Sequence, residues 1–209
     1  MTPSQDHPAP LTEAEAMAAL RDIHGWMGRA SCYRLLSGPA AVAAGAAAIA
    51  GAAVLAIFWG ARPAPAALLA VWGSVFAFSA GVNLALIARK ARQRSEPVLS
   101  RLGRTVLASL APGFAAGGVM TWALGSRGMW DLVPGAWMLL YGCAILAARL
   151  VTPRGSAWLG LALLALGAFT LVAAGEAGTN PWLMAGSFGL GHVVFGIHLT
   201  RQERAGGAA

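Results

Sequence analysis

Arg89-Lys90-Ala91-Arg92-Gln93-Arg94 lies between two long apolar runs, and its reading decides the fold. With Arg101 and Arg104 it holds six of the 15 Lys and Arg residues. Membrane proteins keep such clusters in cytoplasmic loops, because carrying Lys and Arg across a bilayer is unfavourable. Once this loop is placed in the cytoplasm, the side of every other segment follows.

Composition agrees with a membrane protein. Hydrophobic residues make up 57% of the chain and charged ones 11%, where soluble domains carry about 25% charged. The 27 glycines suit helices that approach one another closely inside a bilayer. The formal charge of +7 sits in loops beside apolar runs. Topology and anionic lipid headgroups account for it, and nucleic acid is not an expected partner. Cys32 and Cys143 fall in a cytoplasmic segment and in mid-membrane, so they do not form a mutual disulfide, and neither has metal-type spacing.

Outward from the basic loop, apolar runs define six spans at about 39–59, 66–88, 105–124, 132–150, 157–175 and 182–199. The first has no charged residue from 39 to 59, enough helix to cross a core of about 30 Å. Together they form an all-α membrane domain over 37–200, followed by a C-terminal tail at 201–209. Ser37 is the expected cap of the first span, with Pro39 in its first turn. Val98, Leu99, Leu102 and Val106 form an amphipathic lead-in to span three after Glu96-Pro97. Pro112 predicts a kink inside that span. Gly113 and Gly117 form a GxxxG pattern for close helix packing.

The N-terminal part is polar. Residues 1–11 read as a disordered tail. Thr12 and Glu15 form a capping box, and an amphipathic helix follows over 12–36 with Met17, Leu20, Ile23, Met27 and Ala30 on one stripe. Trp26 and the arginines of this helix fit an interfacial position on the membrane. A helix packed on the protein's own cytoplasmic loops fits the same pattern. Arg89, Lys90, Arg92 and Arg94 serve as further anchors at the membrane surface.

Six spans with both termini inside put thirteen Lys and Arg on the cytoplasmic side and leave Arg62 and Arg127 outside. Trp59, Trp122, Trp130, Trp137 and Trp182 then gather at the outer boundary, with Trp26 and Trp158 at the inner one. No repeat relates spans 1–3 to spans 4–6.

Chemistry is sparse. All eight acids lie in tails, loops or span ends, whereas proton-coupled carriers place carboxylates inside the membrane. There is no P-loop, HExxH, CxxC or nucleophile elbow, and neither a metal set nor a cofactor is called for. Asn83, two turns in from Arg89, reads as an interhelical hydrogen-bond partner. In span six Ala185, Gly189, His192 and Gly196 fall within about 60° of one another, with Phe188 and Phe195 flanking. The glycines imply a helix packed on that face. Three roles for His192 are open: a hydrogen-bonded structural residue, part of a ligand pocket, or an axial ligand of a metal or haem. A pocket would draw on His192, Asn83, Tyr141 and the kink at Pro112.

Gly186-Ser-Phe-Gly-Leu-Gly-His-Val-Val-Phe-Gly-Ile-His-Leu-Thr-Arg201, Arg34-Leu-Leu-Ser-Gly38 and Trp137-Met-Leu-Leu-Tyr-Gly142 carry a resemblance. The chain resembles an uncharacterised group of small six-span bacterial membrane proteins. That likeness implies a multi-pass protein of the bacterial inner membrane, and it brings no catalytic residue. The leading expectation is a non-enzymatic scaffold, sensor or accessory subunit, with anionic lipid and a membrane-protein partner or second copy as its contacts. The alternatives are a small transporter of a lipophilic or uncharged substrate and, third, a redox or quinone-linked subunit.

Overall fold

The computed structural model describes residues 36–93, 95, 97, 100–153, 155–173 and 175–207, together with Thr12 and Met17. The chain divides into a short unit, Met1–Cys32, and a main unit, Tyr33–Ala209. In the first, Met17 is helical and exposed. Trp26, Arg94, Cys32, Val98, Leu99 and most of the expected helix over 12–36 lie outside the described residues.

The described chain is all-helical, and six helices are long and apolar enough to cross a membrane. They are α1 (Gly38–Trp59), α2 (Pro65–Gln93), α3 (Arg101–Gly125), a fourth span Trp130–Ala147 made of a 3-10 turn and α4 (Val133–Ala147), α5 (Gly155–Ala173) and a composite sixth span. The sixth begins as α6 (Pro181–Met184), widens into a π-helical stretch (Ala185–Leu190) and resumes as α7 (Gly191–Gly207). The helices outrun the apolar runs at 88 and 199, because backbone hydrogen bonding continues past the point where side chains become polar. Ser100 caps α3 by accepting from the Gly103 amide at 3.2 Å. Ser37 precedes α1 but makes no side-chain cap bond, contrary to expectation; the chain is buried there, and Pro39 in the first turn has no amide to satisfy. Pro112 lies inside α3, which continues as one helix on both sides of it.

Neighbours in the chain mostly pack together, with α2 and α3 the exception. α1 packs on α2, α3 on α4, α4 on α5, and α5 on α7, while the sixth span returns to α1. Two seams are built backbone to backbone. Gly38 and Gly45 of α1 face Gly196 and Gly189, and Gly135 and Gly142 of α4 face Gly167 and Gly160 of α5. A Cβ at Gly45 would lie 2.5 Å from the Gly189 carbonyl oxygen, and one at Gly167 2.8 Å from that of Gly135. In all four helices the paired glycines stand seven positions apart (38 and 45, 189 and 196, 135 and 142, 160 and 167). That spacing is two turns, the repeat of left-handed helix packing. Gly113 of the GxxxG pattern is similarly tight against Ala144 and Leu140, but a Cβ at Gly117 would meet Trp137 at an ordinary 3.9 Å.

Leu55, Leu68, Trp72, Val133, Met138 and Leu163 are the large members of a core drawn from every span but α3. α3 is peripheral. It joins α2 at the basic end, where Ala91 and Val106 are buried with Leu36, Leu102 and Val151 around them. In the most apolar 18-residue stretch of each helix, 6% of α2 and of α3 is buried, against 28% to 44% of the other four spans.

Candidate functional site

Tyr141 of α4 and His192 of α7 make the principal polar contact inside the helix bundle. Their approach depends on the sixth span losing its regular winding. Gly186 and Gly189 weaken the helix there, and the buried Ser187 hydroxyl donates to the Leu183 carbonyl at 2.8 Å. A side chain that takes a carbonyl four residues back competes with the backbone amide that would otherwise hold it. The His192 ring does the same one turn later, its Nδ1 lying 2.7 Å from the Phe188 oxygen. The span is π-helical over 185–190, a feature that often accompanies functional sites.

Hydrogen bonding fixes the histidine tautomer. A carbonyl only accepts, so Nδ1 carries the proton and Nε2 of the neutral ring is an acceptor. The Tyr141 hydroxyl, 3.2 Å from Nε2, is therefore the donor in that contact. Both ring nitrogens are occupied. A metal or haem at Nε2 would have to displace Tyr141, and among the described residues no three His, Cys, Asp or Glu side chains come together.

Aromatic rings extend the pair across the bundle. Tyr141 stacks on His192 with centroids 5.7 Å apart and on Phe188 at 5.6 Å. Its other neighbour is Phe114 of α3, also at 5.6 Å, which meets Phe76 of α2 edge-on at 5.4 Å. Beside this row Trp137 donates to the Thr121 hydroxyl at 2.7 Å, and Thr121 donates onward to the Gly117 carbonyl. Trp72 is 5% exposed and its indole N–H has no partner among the described residues.

Of the four pocket residues expected from sequence, the structure joins His192 and Tyr141. Asn83 is exposed on α2 with no hydrogen-bond partner among the described residues, and Pro112 is exposed on α3. The face shared by Gly189, His192 and Gly196 meets two helices rather than one: α1 takes the glycines and α4 takes the histidine. His198 points elsewhere and bonds Gln202. Arg89 and Arg92 are exposed, as anchors should be, but Lys90 is not a free anchor. Its ammonium donates to the Leu36 carbonyl and to Glu203, both at 2.7 Å, tying the start of α1 and the ends of α2 and α7 together. Sequence reading missed this three-way tie, the π-helical stretch and the part played by Phe76 and Phe114; the Gly186-Ser-Phe-Gly189 run before His192 was the available signal for the π-helix.

A groove of about 590 Å³ lies at the other end of α2 and α3, lined by Leu69, Gly118, Thr121, Trp122, Gly125 and Trp130. Neither Tyr141 nor His192 reaches it. Fold and site thus define an all-helical protein with six helices able to span a membrane, in which Tyr141 and His192 satisfy each other and the Trp72 indole stands apart. Compared with protein families, with curated proteins and with solved structures, the chain gives no match.

Proposed function

We propose that the protein is a non-enzymatic scaffold or accessory subunit of a bacterial inner membrane, working as a self-associating helical platform. Both termini face the cytoplasm. The observation that carries this reading is the contrast in burial: 6% of the most apolar stretch of α2 and of α3 is fully buried, against 28% to 44% in the other four spans. α2 also has the chemistry of a self-pairing helix. Gly73 and Gly81 are exposed, a methyl group added at either would meet nothing within 4 Å, and Ala77 lies between them at the same four-residue step. Such small-residue stripes let two membrane helices approach closely. Asn83 is exposed too, but it stands about 120° round the helix from Ala77, outside that stripe. The site described above supports the same reading, since Tyr141 and His192 complete each other and leave no ring nitrogen for chemistry.

Subunit counting by single-molecule photobleaching in liposomes tests the proposal. Wild type is expected to bleach in two steps, and Gly73→Ile or Gly81→Ile mainly in one. Wild-type protein that stays monomeric at high density ends it.

A second reading, a carrier for an uncharged lipophilic compound, is favoured by the 590 Å³ groove, which falls in the size range of small-molecule sites. Uptake of such a compound by proteoliposomes, blocked by Gly118→Trp, is its test.

A further inference from the structure

We propose that the groove between α1 and α7 at the basic end binds an anionic glycerophospholipid. Arg201 and Arg204 take the phosphodiester, and one acyl chain lies along Pro39, Val42, Ala43 and Ile197. The groove measures about 450 Å³ and is lined by these residues.

Charge carries the first half of the argument. Arg201 and Arg204 are three residues apart, so they stand about 60° from each other on one helix face, separated by roughly 4.5 Å of rise. Both are exposed, and neither has a partner among the described residues. The one acid nearby in sequence, Glu203, is held by Lys90 at 2.7 Å and does not neutralise them. The Thr200 hydroxyl spends its proton on the Gly196 carbonyl. The positive end of the 22-residue α1 opens beside them with no acid in its first turn. Two planar guanidiniums match a phosphate in geometry as well as charge.

Apolar surface carries the second half. Ile197 precedes Arg201 by about one turn on the same face, and Val42 and Ala43 stand about one turn into α1 from its start. The arginines therefore sit at the mouth and the apolar wall continues along the spans, away from the basic end. A small soluble anion leaves that wall uncovered, whereas a lipid fills both parts. Basic pockets between membrane helices on the cytoplasmic side bind anionic headgroups in this way.

Native mass spectrometry of the full chain, purified in mild detergent and offered phosphatidylglycerol and phosphatidylcholine in equal amounts, reads the site. Wild type is expected to retain phosphatidylglycerol selectively. Arg201→Gln with Arg204→Gln should lower that occupancy about tenfold, the loss of one charge-assisted contact or more. Arg101→Gln with Arg104→Gln removes equal charge from exposed positions on α3 and should leave occupancy unchanged. Ala43→Phe should expel the lipid while keeping both arginines. Equal retention by wild type and the Arg201/Arg204 variant overturns the proposal, as does equal loss from both arginine pairs. Displacement of the lipid by millimolar inorganic phosphate would also overturn it, marking a simple anion site. The inference rests on the chain spanning a membrane; alkaline extraction of membranes tests that separately, since a chain stripped into solution ends the membrane reading whatever lipid it carries.

Discussion

His192 shows how one side chain meets the demand that polar groups within a bilayer find partners inside the protein. Its Nδ1–H satisfies the Phe188 carbonyl and its Nε2 accepts from Tyr141. Tyr141→Phe removes only the second bond, and the expected loss is about 0.6 kcal/mol, up to about 1.7, the range of interhelical bonds in membranes. His192→Gln retains both donor and acceptor and should cost about 1 kcal/mol or less. His192→Leu should cost more, because it strands the Tyr141 hydroxyl and the Phe188 carbonyl together. Thermal unfolding in detergent measures all three. In the double variant Tyr141→Phe with His192→Leu the two losses should be less than additive; full additivity would mean that the pair does not interact.

At the scale of elements, what matters is which helices touch through backbone and which present open surface. Gly45→Ala drives a methyl toward the Gly189 carbonyl and should destabilise the protein by about 1–3 kcal/mol, as overpacking does. Gly73→Ala meets nothing within 4 Å and should leave unfolding of the monomer unchanged. The same detergent unfolding assay compares them, and equal effects would contradict the seam. Lys90→Met should cost about 1.5–3 kcal/mol at the basic end, through loss of its bonds to Leu36 and Glu203. Glu203→Gln removes one of the two and should cost less. The spans themselves were legible in the sequence, since a charge-free run such as 39–59 leaves a helix few alternatives in a bilayer. Their pairing was not. Glycines are common throughout the chain, and only the register of antiparallel neighbours distinguishes Gly45, in contact with Gly189, from Gly73, in contact with nothing. His192 and Tyr141 could each be named as candidates, but their contact requires the widened stretch at 185–190, which periodicity at 3.6 residues per turn does not anticipate.

For the whole molecule, the orientation we propose rests on where the charges lie relative to the helix ends. The ends of α2 and α7 meet through Lys90 and Glu203, so the basic segments at 89–104 and 201–204 share one end. The opposite end carries Trp59, Trp122 and Trp182, all exposed at the ends of their helices, as interfacial aromatic residues are. Among the described residues, Arg62 and Arg127 are the basic residues at that end. Placing the basic end outside would carry the larger share of the Lys and Arg across the bilayer, against the retention of such residues in the cytoplasm. Reporter fusions after residues 94, 154 and 201 are therefore expected to read cytoplasmic, and fusions at 63, 128 and 178 periplasmic. The fusion at 94 is the most decisive, because it follows the densest basic segment and because α2 and α3 on either side are the least buried spans. A periplasmic signal there would invert every loop, move Arg201 and Arg204 to the outer leaflet, and remove the cytoplasmic lipid surface on which their groove depends.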